Sequence, residues 1–142
     1  MSANERLDVM LELSQIQPGQ KTIDLGSGDG RVVIAMAKLG AQAHGIEIDP
    51  GRVELARNNI LKENLLDKAI ITQGNFWNED LGEFDIITLY GITGIMERLE
   101  KKLKIEMKPG SKVISNFFQF PNWYPAKNKS NIFVYSLSNN KD

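Results

Sequence analysis

Short apolar stretches alternate with longer amphipathic ones along this chain. Lys21 to Leu25, Gln42 to Ile48, Ala69 to Thr72, Phe84 to Tyr90 and Lys112 to Phe118 read as strands, with a last one at Asn131 to Leu137. Pro18-Gly19 turns the chain into the first of these, and Pro109-Gly110 does the same before the fifth. The intervening stretches carry apolar residues at helical spacing. Ser2-Ala3-Asn4-Glu5 fits a capping box, opening a helix with Leu7, Met10, Leu11 and Ser14 along one face. A second helix is expected from Gly30 to Leu39, with Gly40 as its stop. Asp49-Pro50 combines an N-cap with proline at the first helical position, and that helix runs to Lys62 with Val53, Ala56, Ile60 and Leu61 inward. A fourth helix, Ile95 to Met107, buries Met96, Leu99 and Leu103.

Strands alternating with helices predict an α/β fold, a doubly wound and mostly parallel sheet of six to seven strands. Strands covered on both faces need no polar alternation, which is how these read. The segment between Pro125 and Asn131 is brief, so the carboxyl-terminal hairpin is expected to be truncated, its sixth strand missing or vestigial. Ligands of such sheets sit beyond the carboxyl ends of the strands, at the switch point beside strand one. Functional residues are therefore sought at Gly26 to Gly30, Glu47, Gly74 to Trp77, Tyr90 to Thr93, and Asn116 onward.

Composition narrows the chemistry. A chain of 142 residues is expected to form one domain, residues 1–142. With 42% apolar and 25% charged residues and a net charge of −1, nothing suggests bulk affinity for nucleic acid or an anionic membrane. The absence of cysteine removes disulfides, thiolate metal sites and thiol nucleophiles, and a single histidine excludes a multi-histidine metal centre. No apolar run approaches the roughly 20 residues of a membrane span. A cytoplasmic monomer without metal is the expectation.

The chemistry concentrates in Ile23-Asp24-Leu25-Gly26-Ser27-Gly28-Asp29-Gly30-Arg31, followed 17 residues past Gly30 by Glu47. An apolar strand, a glycine-rich turn, a helix and a second strand ending in a carboxylate suit a nucleoside cofactor whose ribose hydroxyls need an acceptor. Dinucleotide loops space their glycines as G-x-G-x-x-G around a pyrophosphate. Here the glycines alternate, and Asp24 and Asp29 flank them; two acids repel a pyrophosphate but suit the ammonium and sulfonium charges of S-adenosylmethionine.

The stretch resembles the first motif of class I S-adenosylmethionine-dependent methyltransferases. The resemblance implies a Rossmann-like fold, S-adenosylmethionine as cofactor and S-adenosylhomocysteine as product. It also implies that Asp24, Gly26, Ser27, Gly28, Asp29 and Gly30 cradle the methionine end and that Glu47 takes the ribose hydroxyls. Ile48 covers one adenine face. Asn75 stands where this superfamily contacts the adenine amino group, commonly with aspartate, and Phe76 or Trp77 closes the other face.

Three further stretches narrow the resemblance. They are Thr88-Leu89-Tyr90, then Ser115 within Lys108 to Ser115, then Phe118-Gln119-Phe120-Pro121-Asn122-Trp123-Tyr124-Pro125. Together they are similar to the small archaeal protein-lysine methyltransferases and their mitochondrial relatives, over about Leu7 to Leu137. The likeness implies a protein substrate presenting a lysine, with Tyr90, Ser115, Phe118, Pro121 and Trp123 bordering the acceptor channel and Asn116 available to bond substrate. Residue physics agrees. A lysine must shed its proton before it attacks, its free pKa being about 10.4, and a dry aromatic channel disfavours the ammonium. The short chain leaves few residues for a lid, which suits a side chain presented by a large partner. One departure is that Met1 to Asn4 lacks the proline-containing segment usual in that subgroup.

Other readings stay open: an RNA or small-molecule methyltransferase on the same fold, and a non-enzymatic S-adenosylmethionine-binding module. A nicotinamide enzyme is a distant third. Nucleic-acid amine methyltransferases resemble one another in an Asp/Asn-Pro-Pro-aromatic turn after strand four, whereas this chain has Leu89-Tyr90-Gly91-Ile92. His44 reads as structural. Lys101, Lys102, Lys104, Lys108 and Lys112 read as a solvated face, and Glu79, Asp80 and Glu83 as an acidic rim.

Overall fold

A computed structural model describes residues 1–91 and 93–138; Ile92 of the expected Leu89-Tyr90-Gly91-Ile92 turn and residues 139–142 lie outside the described residues. The elements are α1 (Ala3–Ser14), β1 (Lys21–Leu25), α2 (Arg31–Lys38), β2 (Gln42–Glu47), α3 (Pro50–Lys62), β3 (Ala69–Gln73), β4 (Ile86–Tyr90), α4 (Met96–Glu106), β5 (Lys112–Asn116), β6 (Lys127–Lys129) and β7 (Ile132–Tyr135). The strands form a seven-stranded, mostly parallel sheet in the order β3-β2-β1-β4-β5-β7-β6, as the strand–helix alternation predicts. The sixth strand is present, a three-residue edge paired antiparallel to β7, so the hairpin is shortened rather than lost. All three β6 residues are exposed, and lysines on an edge strand oppose pairing with another chain. Among the described residues no helix is long and apolar enough to cross a membrane.

The chain divides into two compact units, Ile16–Glu79 and the remainder, Met1–Gln15 with the chain from Asp80 onward. In the first, β1 and β3 flank β2 in parallel; Leu25 pairs with Ile46, and Glu47, the last residue of β2, pairs with Gln73. Val53, Ala56 and Ile60 form the buried stripe of α3. Leu61, expected inward, is exposed, because it lies one residue past Ile60 and hence about 100° around the helix. Asp49 caps α3 as its sequence predicts, accepting from Arg52 N at 2.8 Å.

In the second unit β4 and β5 are parallel and β7 runs antiparallel to β5. Ser2 caps α1, accepting from Glu5 N at 3.1 Å. The buried face of this helix is Arg6, Met10 and Ser14, with Leu7 and Leu11 only half-buried. An arginine, a residue type seldom found inside, thus occupies the buried face one turn before Met10. The expected lysine-rich solvated face is instead largely ion-paired: Lys102 with Glu106 at 2.8 Å, Lys104 with Glu100 at 3.2 Å and Lys108 with Asp85 at 2.8 Å. Helical i,i+4 spacing brings the first two pairs together.

The second unit buries an aromatic cluster. Phe120, Trp123 and Tyr135 meet with ring centroids 4.9 to 5.4 Å apart. Tyr135 Oη accepts from Phe120 N at 3.1 Å. Burial pushes the Tyr135 phenol above the ordinary tyrosine value; the Phe120 N–H opposes that shift and the Glu100 charge adds to it. Since the folded value lies above the unfolded one, the associated stability is intact below about pH 10 and is lost as pH rises from there through the folded value. Urea midpoints measured across this range should therefore fall more steeply for the wild type than for Tyr135→Phe. The variant should be about 1 kcal/mol less stable at neutral pH, having lost one hydrogen bond.

Candidate active site

The glycine loop is fixed to the end of β2 by its backbone. Gly26 N and Ser27 N both donate to Ile46 O, at 2.9 and 3.0 Å. Glu47 completes the attachment. Its carboxylate is buried and accepts from Gly28 N at 2.9 Å through one oxygen and from Asp49 N at 3.0 Å through the other. Each oxygen keeps a lone pair, so a carboxylate already locked in direction remains able to take hydroxyl donors. Gly28 holds φ +56°, and a Cβ there would meet nothing within 4 Å. The side facing away from the protein is therefore open for a ligand to approach the backbone. Gly30 differs: at φ +86° a Cβ would stand 3.1 Å from Ala56 Cβ, so this glycine lets α2 and α3 pack.

Asp24 is buried in β1 beside Gly45 of β2. Ile48 follows Glu47 and is largely exposed, free to cover a flat ring. These residues, with the open faces of Gly26 and Gly28, fit a nucleoside cofactor with a cationic amino-acid tail. Among the described residues no group of three or more His, Asp or Glu is placed to hold a metal.

Two of the expected cofactor contacts, Asp29 and Asn75, also make local hydrogen bonds, and a third, Ser27, turns its side chain inward. Asp29 is bidentate with its neighbour, Oδ2 accepting from Arg31 Nη2 at 2.8 Å and Oδ1 from Arg31 N at 3.1 Å. The Arg31 hydrogen bond holds its carboxyl below the usual aspartate value. It therefore serves as acceptor and counter-ion for Arg31 at the start of α2, and the charge argument against pyrophosphate rests on Asp24 alone. The Ser27 side chain is buried toward Gly45, where an added Cβ would lie 2.7 Å from Ser27 Oγ; that hydroxyl has no partner among the described residues. Its backbone, not its hydroxyl, belongs to the loop surface. Asn75 Oδ1 accepts from Trp77 N at 3.0 Å, capping the short turn Phe76–Asn78. Phe76 and Trp77 stack tilted at 4.7 Å and are half-buried.

In the other unit, Tyr90 ends β4 and is half-exposed, as is Phe118; Pro121 is exposed. Two expected acceptor contacts are spent on structure. Ser115 is fully buried and donates to Phe118 O at 2.7 Å, which shapes the turn after β5. Asn116, also fully buried, accepts from Arg6 Nη2 at 3.2 Å and sets Nδ2 2.8 Å from Met10 Sδ. Trp123 has no exposed surface and donates Nε1 to Ser136 O at 2.8 Å. It is core in this structure, and the segment containing it is held by Glu100, which accepts from Asn122 N at 2.7 Å.

Two residues escape sequence reading. Arg6 lies buried with its guanidinium 3.7 Å from the Phe117 ring centroid, and Phe117 is half-exposed, 6.5 Å from the Tyr90 ring. The available signals are slight: an arginine at i,i+4 and i,i+8 from Met10 and Ser14, and a double phenylalanine at a strand end.

These bonds separate the two loop acids by experiment. Glu47→Gln places an amide where two backbone N–H groups need acceptors, and is expected to weaken S-adenosylmethionine binding by more than about tenfold. Asp29→Asn keeps an acceptor for Arg31 N and should change affinity less than about threefold. Titration calorimetry of the two variants checks both values.

Comparison with known proteins agrees with this arrangement. The ANTKMT methyltransferase domain matches residues 24–127. A protein-lysine N-methyltransferase of Saccharolobus islandicus is 37% identical over 120 residues, 83% of this chain and 74% of that protein. The adenine nucleotide translocase lysine N-methyltransferase of Mus musculus is 31% identical over 122 residues, 85% of this chain but only 53% of that longer protein. The chain thus spans about half the length of this mammalian relative. A crystal structure of an RNA methyltransferase from Salinibacter ruber, in complex with S-adenosyl-L-homocysteine, superposes with a TM-score of 0.88 at 34% identity, covering 95% of this chain and 90% of that one. Matched along most of its length, the glycine loop included, the chain belongs to the ANTKMT methyltransferase family and is an S-adenosylmethionine-dependent methyltransferase.

Proposed function

We propose that the protein methylates the ε-amino group of lysine side chains in a protein substrate. The observation that carries this reading is the exposed aromatic group at the carboxyl ends of β4 and β5, Tyr90 with Phe117 and Phe118. Such a surface suits a flexible alkyl stem better than a polar base edge. Similarity to protein-lysine methyltransferases from an archaeon and a mammal supports it.

When bound, S-adenosylmethionine supplies an electrophilic methyl carbon on a sulfonium and leaves as S-adenosylhomocysteine. Glu47 would bind the ribose hydroxyls and Asp24 the methionine ammonium, with the backbone of Gly26 to Gly28 against the tail. Tyr90 and Phe118 exclude water from the acceptor stem and orient it. The acceptor nitrogen gives up a proton to solvent, then forms the nitrogen–carbon bond as the carbon–sulfur bond breaks. Ser115 and Asn116 are hydrogen-bonded within the protein and are not bases; in this reading the acceptor arrives neutral or loses its proton to solvent.

Methylation of RNA is a second reading, favoured by the Salinibacter ruber structure. The two part under digestion. Purified protein and methyl-tritiated S-adenosylmethionine are incubated with cell lysate beside a Glu47→Ala control. The expected label is protease-sensitive, base-stable, lost in the control and recovered as methyl-lysine after hydrolysis. Nuclease-sensitive label would hand the activity to RNA. No label from a protein that still binds cofactor would leave a binding module.

A further inference from the structure

We propose that Phe117 forms, with Tyr90, the surface that receives the acceptor, and that Arg6 is a positioning residue behind it, making that surface selective for the neutral amine over the ammonium. The inference rests on the lysine reading above and extends it to how the amine is kept reactive.

Phe117 is held with unusual effort. Its φ is +68°, a left-handed conformation that a bulky residue rarely adopts, and its N–H donates to Asn131 O at 2.7 Å. Its partner Asn131 and the preceding Ser130 are left-handed as well, at φ +59° and +52°. Strain of this kind persists where the surroundings over-determine it, and such places are often functional. Here it turns the ring outward, half-exposed beside Tyr90.

Arg6 supplies the determination. Nη1 donates to Ser130 O at 3.0 Å, and Nη2 to Asn116 Oδ1 at 3.2 Å and to Asn131 O at 3.4 Å, while the guanidinium plane covers one face of Phe117. All its acceptors are neutral. No carboxylate pairs with Arg6 among the described residues, and its Nε is buried without a partner. The charges on the elements packed around it lie elsewhere. Glu5, Asp8 and Glu12 occupy exposed positions of α1, Glu12 pairing with Lys129 of β6. Lys112, at the opposite end of β5, donates to Ser14 O. A buried, unneutralised cation is a poor means of stabilisation, because an apolar residue would fill the space at lower cost. Its retention calls for another role.

Its charge supplies one. An aromatic ring attracts a cation through its face. With a guanidinium already on one face of Phe117, an ammonium on the other would sit roughly 7–8 Å from a like charge in a partly dry site, close enough to be repelled. An alkyl stem ending in a neutral amine meets the same apolar ring without that penalty. Methyl transfer needs the nitrogen lone pair, so a surface that rejects the ammonium raises the reactive fraction. A drop of one unit in the acceptor's pKa raises that fraction about tenfold at neutral pH.

The test uses small probes and the intact protein. n-Butylamine and the permanently charged butyltrimethylammonium are titrated at pH about 9.5 and followed through the aromatic resonances of Tyr90 and Phe117, with the neutral fraction of the amine taken into account. The wild type is expected to bind neutral butylamine about tenfold more tightly than the fixed cation. Arg6→Gln should remove most of that preference by strengthening cation binding, whereas Arg6→Lys, which keeps the charge, should retain it. A role confined to holding the fold would weaken both probes together and leave their ratio unchanged. Equal affinities in the wild type, or an unchanged ratio in a folded Arg6→Gln, would overturn the proposal, and the wild-type ratio decides even if that variant does not fold. Were the ratio as expected but no lysine labelled in lysate, the lysine reading would fall and the selective surface would stand.

Discussion

The unit that carries the glycine loop depends on how one buried carboxylate is satisfied. Taking a carboxylate out of water costs several kcal/mol unless hydrogen bonds replace the lost solvation. Glu47 recovers that cost from two backbone N–H groups on different segments, Gly28 in the loop after β1 and Asp49 at the entry to α3. The same two bonds fix the loop, the end of β2 and the helix start relative to one another. Asp49 extends the chain of contacts through Arg52 N, and Asn59 Nδ2 returns from α3 to Asp29 O at 3.0 Å. A loop held this way is ordered before any ligand arrives, so little binding energy goes into ordering it.

The other unit solves a similar problem with a different outcome. Glu100 is also buried, and it also fixes a loop through a backbone N–H, that of Asn122. Its second oxygen pairs with Lys104, which donates in turn to Asn122 O at 3.0 Å. That carboxylate is ion-paired, and the segment it holds presents Trp123 to the core. Glu47, by contrast, keeps acceptor capacity at an open loop. Charge and burial look alike in the two residues; Glu100 has a cationic partner in Lys104, whereas Glu47 accepts from backbone N–H groups beside the open faces of Gly26 and Gly28.

That distinction explains what can be read from the residues in order and what cannot. The strand–helix alternation, the Asp49 cap and the glycine loop are set by short spacings, which the order of residues records directly. The element ends fall within two residues or so of their expected places for the same reason. Other assignments depend on partners far along the chain. Arg6 is buried because Asn116, 110 residues later, and the Ser130–Asn131 turn supply its acceptors; as a helix residue in isolation it reads as solvent-facing. Ser115 and Asn116 look like free polar groups at a strand end until the turn to Phe118 and the approach of α1 claim them. Asp29 misleads at short range: Arg31 lies two residues away and neutralises it.

The most direct measurement is amide hydrogen exchange at Gly28 in the cofactor-free protein. Glu47 accepting from that N–H without help from a ligand means that Gly28 should be protected well beyond ordinary loop amides before any S-adenosylmethionine is added. Exchange at the rate of an unstructured glycine, slowing only when cofactor binds, would mean that the ligand orders the loop and would contradict the account.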